Sequence, residues 1–326
     1  MNDHTFSPAW WASNRHAQTL WGKLVRRSGS VPTRRELWET PDDDVLEIRR
    51  LDAAPGRPRL ILLHGLEGTI RSHYLGGILG EALQRGWGAD LLLFRSCGEQ
   101  PNRARRFYHS GETTDLAFVV ERVVREHPSS PIALAGFSLG GNVLLKWLGE
   151  RGSDLPPTLR AASAVSVPFD LSRSATHIDR GFARVYQAHF LRSLRRKVLA
   201  KMERYHDLVD PERLALVRSI RDYDDVVTAP IHGFEGAEDY YTRSSAIRWL
   251  AKIRLPTLLL SAVDDPFLPP AVLEEVRGIA KANPALQIEF PTRGGHVGFV
   301  AGRVPWRPFY WGEWRTARFL SGFLND

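Results

Sequence analysis

Short, wholly apolar runs alternating with longer stretches of helical periodicity limit this chain to few architectures. The runs are RLILL (59–63), ADLLLF (89–94), IALAG (132–136), AASAVSV (161–167), TLLLSAV (257–263) and LQIEF (286–290). A strand with apolar residues on both faces belongs in a sheet covered on both sides, which favours parallel pairing through helical crossovers. The intervening YLGGILGEALQRG (74–86), DLAFVVERVVREH (115–127) and GGNVLLKWLGE (140–150) carry apolar residues at helical spacing and supply those crossovers. The predicted class is α/β, with a mostly parallel central sheet and helices on both faces. Upstream, RRELWET and VLEIRRL flank PDDD (41–44) and read as a hairpin at the sheet edge. No histidine or further carboxylate stands at ligand spacing from these aspartates, so they read as a polar turn rather than a metal site. From about 170 to 250 the strand rhythm gives way to charged helical segments. An insertion of that size between two strands is what a lid over an active site would look like. The expected division is a core in two parts, 1–169 and 251–326, interrupted by a helical lid at 170–250.

The string GFSLG (136–140) lies where the strand IALAG hands over to the helix GGNVLLKWLGE. As a bare GxSxG match it is weak, but a strand before it and a helix after it are the setting of a nucleophile elbow. Glycines flank the serine because side chains there would clash with neighbouring backbone on so sharp a bend. The bend presents Ser138 Oγ outside the sheet, and the helix N-terminus behind it favours developing negative charge.

A serine hydroxyl needs a base, and the base an orienting acid. Both follow in the order expected for such an elbow. SAVDDPFLP (261–269) puts carboxylates just past a strand, and RGGHVGF (293–299) puts His296 on a glycine-bearing loop after the last strand. Strand C-termini share one edge of a parallel sheet, so these segments can converge with Ser138. Asp265 is preferred as the acid on the spacing of DPFLP, with Asp264 as the alternative, the other carboxylate capping the turn or the helix after Pro270. After RLILL comes HGLEG (64–68), a turn able to aim backbone N–H groups at a carbonyl oxygen. The amides of Leu66 and Leu139 are the expected oxyanion hole, with His64 as a structural hydrogen bonder.

These motifs, together with SNRHAQTL (13–20), HGLEGTIRSHY (64–74), FRSCGEQPNR (94–103), YHSGETTDL (108–116), GFSLGGN (136–142), DDPF (264–267) and GGHVGF (294–299), resemble the YheT-like family of α/β-hydrolases, bacterial relatives of the ABHD esterases and lipases. The resemblance covers nearly the whole chain. It implies an α/β-hydrolase fold with a helical insertion, carboxylic-ester hydrolysis, no cofactor or metal, and a Ser, Asp, His triad on Ser138, Asp265 and His296. One departure is visible: the family usually reads FRGCSGE where this chain has FRSCGEQ, which puts the shape of that loop in question. Cys97 lies in the same stretch and is expected to pack rather than react. In YHSGETTDL, Thr113 or Thr114 is expected to cap the following helix.

Over 326 residues, 43% of them hydrophobic, the chain can build a sizeable core without metals or disulfides. Cys97 is the only cysteine, which allows no intrachain disulfide and makes a cytoplasmic location the default. The N-terminal segment carries no signal-peptide pattern, and no apolar run approaches a membrane span. The formal charge of +7 favours anions in general, but the one dense basic patch (190–204) reads as a solvated helix face, and nucleic acid is not an expected partner. Trp10, Trp11, Leu20 and Trp21 beside Lys23, Arg26 and Arg27 are expected to pack onto the domain, with peripheral membrane contact left open. The expected function is hydrolysis of small-molecule carboxylic esters, lipid-like ones among the candidates. Acyl transfer or amide cleavage by the same triad, and a non-catalytic binding scaffold, are the alternatives.

Overall fold

The computed structural model describes residues 5–26 and 31–324. The predicted runs form an eight-stranded sheet from β1 (Arg34–Glu39), β2 (Val45–Leu51), β3 (Arg59–Leu63), β4 (Gly88–Leu93), β5 (Ile132–Phe137), β6 (Leu159–Val165), β7 (Thr257–Leu260) and β8 (Leu286–Glu289), in the order β1-β2-β4-β3-β5-β6-β7-β8. β1 and β2 are the expected edge hairpin, β2 runs antiparallel to β4, and every pairing beyond is parallel. A short hairpin, β9 (Val300–Ala301) with β10 (Phe309–Tyr310), lies apart from the sheet.

Helix α1 (Arg15–Val25) precedes the sheet, and its crossovers are α2 (His73–Gln84), α3 (Thr114–Glu126), α4 (Leu139–Arg151) and, after the insertion, α11 (Pro270–Ala282), with α12 (Trp311–Leu324) closing the chain. One core contains Val119, Val143, Leu144 and Val272, from α3, α4 and α11. The other contains Ile78, Leu79, Ala317 and Leu320, from α2 and α12. A strand with two buried faces needs such a double cover, and β3, β4 and β5 are buried at every residue.

Between β6 and β7 the chain runs through α5 (Leu171–Ile178), α6 (Ala183–Met202), α7 (Pro211–Leu216), α8 (Ile220–Tyr223), a π-helical turn at Asp224–Thr228, α9 (Ala229–His232) and α10 (Ala237–Ser244). Leu191, Leu194, Val198, Leu214 and Val227 give this segment a small core of its own. The patch at 190–204 departs from a purely solvated face. Lys201 is buried and donates to Asn102 Oδ1 and to the carbonyls of Ala104 and Arg106, and Lys197 Nζ meets Glu67 Oε1 at 2.7 Å.

Two other local expectations are refined. The N-cap residue Thr113 makes no side-chain cap. Glu112 Oε1 accepts from the Thr114 N–H instead, because a carboxylate one residue earlier reaches the first turn and favours its positive end. Trp11 packs on Trp21 with ring centroids 4.3 Å apart, whereas Trp10 is 74% exposed and donates its indole N–H to the Arg303 carbonyl. Arg27 lies outside the described residues. No helix among the described residues is long and apolar enough to cross a membrane.

Candidate active site

Ser138 stands between β5 and α4 at φ 53°, ψ −121°, a conformation L-residues rarely occupy and one that marks functional strain. The turn tolerates nothing larger than glycine on either side. A Cβ on Gly136 would lie 2.5 Å from the Gly140 carbonyl oxygen, and one on Gly140 would collide with the His64 carbonyl and lie 2.8 Å from the Leu63 carbonyl carbon. The Ser138 N–H donates to Val165 O of β6, so the neighbouring parallel strand holds the bend.

The loop after β7 brings Asp265 and the loop after β8 brings His296 to the same sheet edge. His296 Nε2 lies 2.9 Å from Ser138 Oγ, and His296 Nδ1 lies 2.8 Å from Asp265 Oδ2. Asp265 is 1% exposed, and its other oxygen accepts the Phe267 N–H. With a carboxylate at Nδ1, that nitrogen carries the proton and Nε2 is left to accept from the serine hydroxyl. Asp264 does not touch the imidazole. It accepts the Gly295 N–H at 2.9 Å and holds the histidine loop, rather than the turn or helix after its own strand.

Of the turn 64–68, Gly65 N–H donates to Tyr74 OH, Glu67 N–H to Tyr108 OH, and Gly68 N–H to Gly65 O. The Leu66 N–H has no acceptor among the described residues, and Leu139, first residue of α4, has no intrahelical acceptor for its own. A Cβ on Gly65 would lie 3.0 Å from Ser138 Cβ, so the turn that carries Leu66 packs against the serine, and Leu139 follows the serine in the chain. His64 is fully buried. Its Nε2 accepts the Phe94 N–H, which leaves Nδ1–H to bond Gly65 O at 2.7 Å, and burial pushes its pKa down to about 4.

Several supports stood in the sequence only as parts of the motifs that carry the resemblance, with no role read for them. Thr19 Oγ1 of α1 accepts the His296 N–H, and Gln18 bonds both N–H and C=O of Val300, so HAQTL braces the histidine loop. Asn142 of GFSLGGN, wholly buried, donates to the carbonyls of Ser110 and Ser244 and accepts the Ala246 N–H. It thereby ties YHSGE and the end of the insertion to the elbow helix. In FRSCGEQ, Ser96 takes the positive φ (62°) at the place where the family pattern has glycine. Cys97 is buried within a core, which pushes its thiol up to about 11.

Two cavities meet at Ser138 and His296. One, of about 110 Å³, is lined by apolar side chains that include Leu171, Ala175, Ile178 and Leu268. The other, of about 520 Å³, is wider and carries Lys23, Arg71 and His189 as well as Phe182 and Tyr186. Phe182 and Tyr186 line the wider cavity and not the narrow one, whereas Phe190 lines both.

Residues 58–301 match the family model described as alpha/beta hydrolase fold. The chain is 37% identical to the Escherichia coli (strain K12) protein named "Putative esterase YheT" over 98% of this chain and 94% of that one. It is 29% identical to "Phospholipase ABHD3" of Mus musculus over 92% of this chain and 74% of that one. Among solved structures, the Pyrococcus furiosus esterase Pf2001 superposes with a TM-score of 0.58 at 17% identity, covering 92% of this chain and 98% of that one. That likeness speaks to the fold alone.

Proposed function

The chain belongs to the α/β-hydrolase family, and from that premise we propose that it is a serine hydrolase that cleaves carboxylic esters through Ser138, His296 and Asp265. The observation that carries the proposal is an unbroken relay, Asp265 to His296 to Ser138 at 2.8 and 2.9 Å, ending against the turn that carries the uncommitted Leu66 N–H. Ser138 Oγ attacks the ester carbonyl carbon while His296 Nε2 takes its proton, and Asp265 holds the imidazole and offsets its charge. The carbonyl oxygen becomes an oxyanion held by the N–H groups of Leu66 and Leu139. As the tetrahedral species collapses, the carbon–oxygen bond to the alcohol breaks and His296 protonates that oxygen. A water molecule, giving its proton to the same nitrogen, then attacks the acyl-enzyme and releases the acid with Ser138 restored.

The narrow apolar cleft suits a compact acyl group and the wider cavity suits the alcohol part. The helices of 170–250 act as a lid over both. A lipid-like ester, which the phospholipase name of a relative aligned over most of both chains would favour, needs a longer acyl group than that cleft holds and would place it in the wider cavity. The test is labelling by a fluorophosphonate probe together with turnover of p-nitrophenyl esters of graded chain length. Wild type reacts and favours short chains, and Ser138→Ala neither labels nor turns over, with a fall in kcat of about 10⁴-fold or more. An unreactive wild type would overturn the hydrolase, and activity that climbs steadily with chain length would overturn the compact acyl site.

A further inference from the structure

The turn that presents the Leu66 N–H is held from the insertion by a buried charge. Glu67, the next residue, adopts φ 56°, which an L-residue keeps only where its surroundings enforce it. Its carboxylate, 7% exposed, receives three donors: Tyr108 OH at 2.8 Å, Lys197 Nζ at 2.7 Å and Ser193 Oγ. The last two stand one turn apart on α6. Tyr108 closes the loop by accepting the Glu67 N–H while stacking on Phe94, with ring centroids 5.2 Å apart and planes 4° from parallel. Lys197 Nζ also lies 3.1 Å from Cys97 Sγ, but a buried neutral thiol is a weak acceptor, so Glu67 is its charge partner. The two residues are far apart in sequence and join α6 directly to the segment between His64 and Gly68.

We propose that Glu67 and Lys197 are positioning residues that make the seating of α6 a condition for the Leu66 N–H to face the oxyanion. This inference rests on the serine-hydrolase reading above. Uncoupled from Lys197, the carboxylate would be left buried without its cation. Glu67 would then relax away from its left-handed conformation and turn the peptide that carries the Leu66 N–H. A donor displaced in this way loses most of its value, because oxyanion stabilisation depends on placement within tenths of an ångström. The insertion would thus do more than cover the site: it would complete one of the two donors.

The test compares wild type with Lys197→Met, Lys197→Arg and Glu67→Gln, each checked for folding by its thermal transition. For p-nitrophenyl butyrate, Lys197→Met is expected to lower kcat about 10- to 100-fold with KM changed less than about twofold. Fluorophosphonate labelling slows in the same proportion, as does the affinity of a trifluoromethyl ketone, which binds as a tetrahedral oxyanion. Inhibition by p-nitrophenyl butyl ether, a neutral isostere with no carbonyl oxygen for the donors to hold, stays as in wild type. Lys197→Arg recovers most of the rate, and Glu67→Gln, with its oxygen still an acceptor but its charge gone, falls between. Should Lys197→Met fail to fold, Glu67→Gln carries the same comparison. Folded variants with wild-type kcat and labelling would overturn the proposal, as would a change confined to KM. A wild type that never labels would instead sink the hydrolase reading on which it rests.

Discussion

Asp264 and Asp265 are chemically identical neighbours, and the turn after β7 gives them different work. Asp265 is nearly inaccessible and faces the imidazole, whereas Asp264 faces the backbone of Gly295. Replacing Asp265 by asparagine keeps the shape but favours the wrong imidazole tautomer, and kcat is expected to fall about 10³- to 10⁴-fold. Asp264→Asn preserves an acceptor for the Gly295 N–H, and its kcat should stay within about tenfold of wild type. Steady-state kinetics on both variants decides the assignment, and equal losses would remove the distinction. The sequence offered both candidates and leaned on the spacing of DPFLP, because spacing reports loop length while the choice depends on where each side chain points. Ser138 and His296 were easier to read, each being a reactive residue among glycines at a strand end. Thr19, Gln18 and Asn142 left no such trace, since a polar residue that bonds a distant backbone looks like any other in sequence.

Strands and crossovers were readable because a doubly buried strand must be apolar throughout, and β3, β4 and β5 fall within a residue or so of the runs that predict them. What the pattern omits is the polar network that joins elements. The PDDD turn of the β1–β2 hairpin is a case: Asp42 and Asp44 both accept from Arg95, just past β4, and Asp115 at the start of α3 takes the same guanidinium in a bidentate pair at 2.6 and 2.8 Å. Arg95 is 1% exposed and Asp44 is fully buried. The hairpin, the central sheet and α3 are thus fastened through one cation. Arg95→Met takes the buried cation from two buried carboxylates, leaving Asp44 to Asn102 and backbone N–H groups and Asp115 to the longer contact with Arg106, and should destabilise the fold by about 3 kcal/mol. Urea denaturation would show a lower midpoint at an unchanged slope. A midpoint equal to that of wild type would mean that water reaches the aspartates and the network contributes little.

Across the molecule, burial has placed several histidines where they cannot carry charge. His64 begins the turn 64–68, His73 opens α2, and His109 packs against His232 of the insertion with ring centroids 4.5 Å apart. Desolvation lowers His64, His73 and His232 to about 4 and His109 to about 3, from an ordinary value of 6.5. The unfolded chain takes up protons on these rings as pH falls below 6.5 while the native state does not. Their contribution to stability is therefore present above 6.5 and lost on the way down to about 4. Two buried carboxyl groups act in the opposite sense. Burial raises Glu313, beside Arg26, to about 7 and Asp224 to about 6, so the native state is the one that gains their protons as pH falls. Burial raises Asp115 and Asp264 as well, but it also lowers His16, His127, His177 and His189, so the histidines should prevail, and Tm is expected to fall steadily between pH 6.5 and 4. Glu313→Gln removes one opposing group and should steepen that decline. Thermal melts across the range for both proteins give the test: a wild-type Tm that is flat or rises towards pH 4 would mean that these rings accept protons in the folded state, and that the packing around the turn and beneath the insertion is looser than its geometry implies.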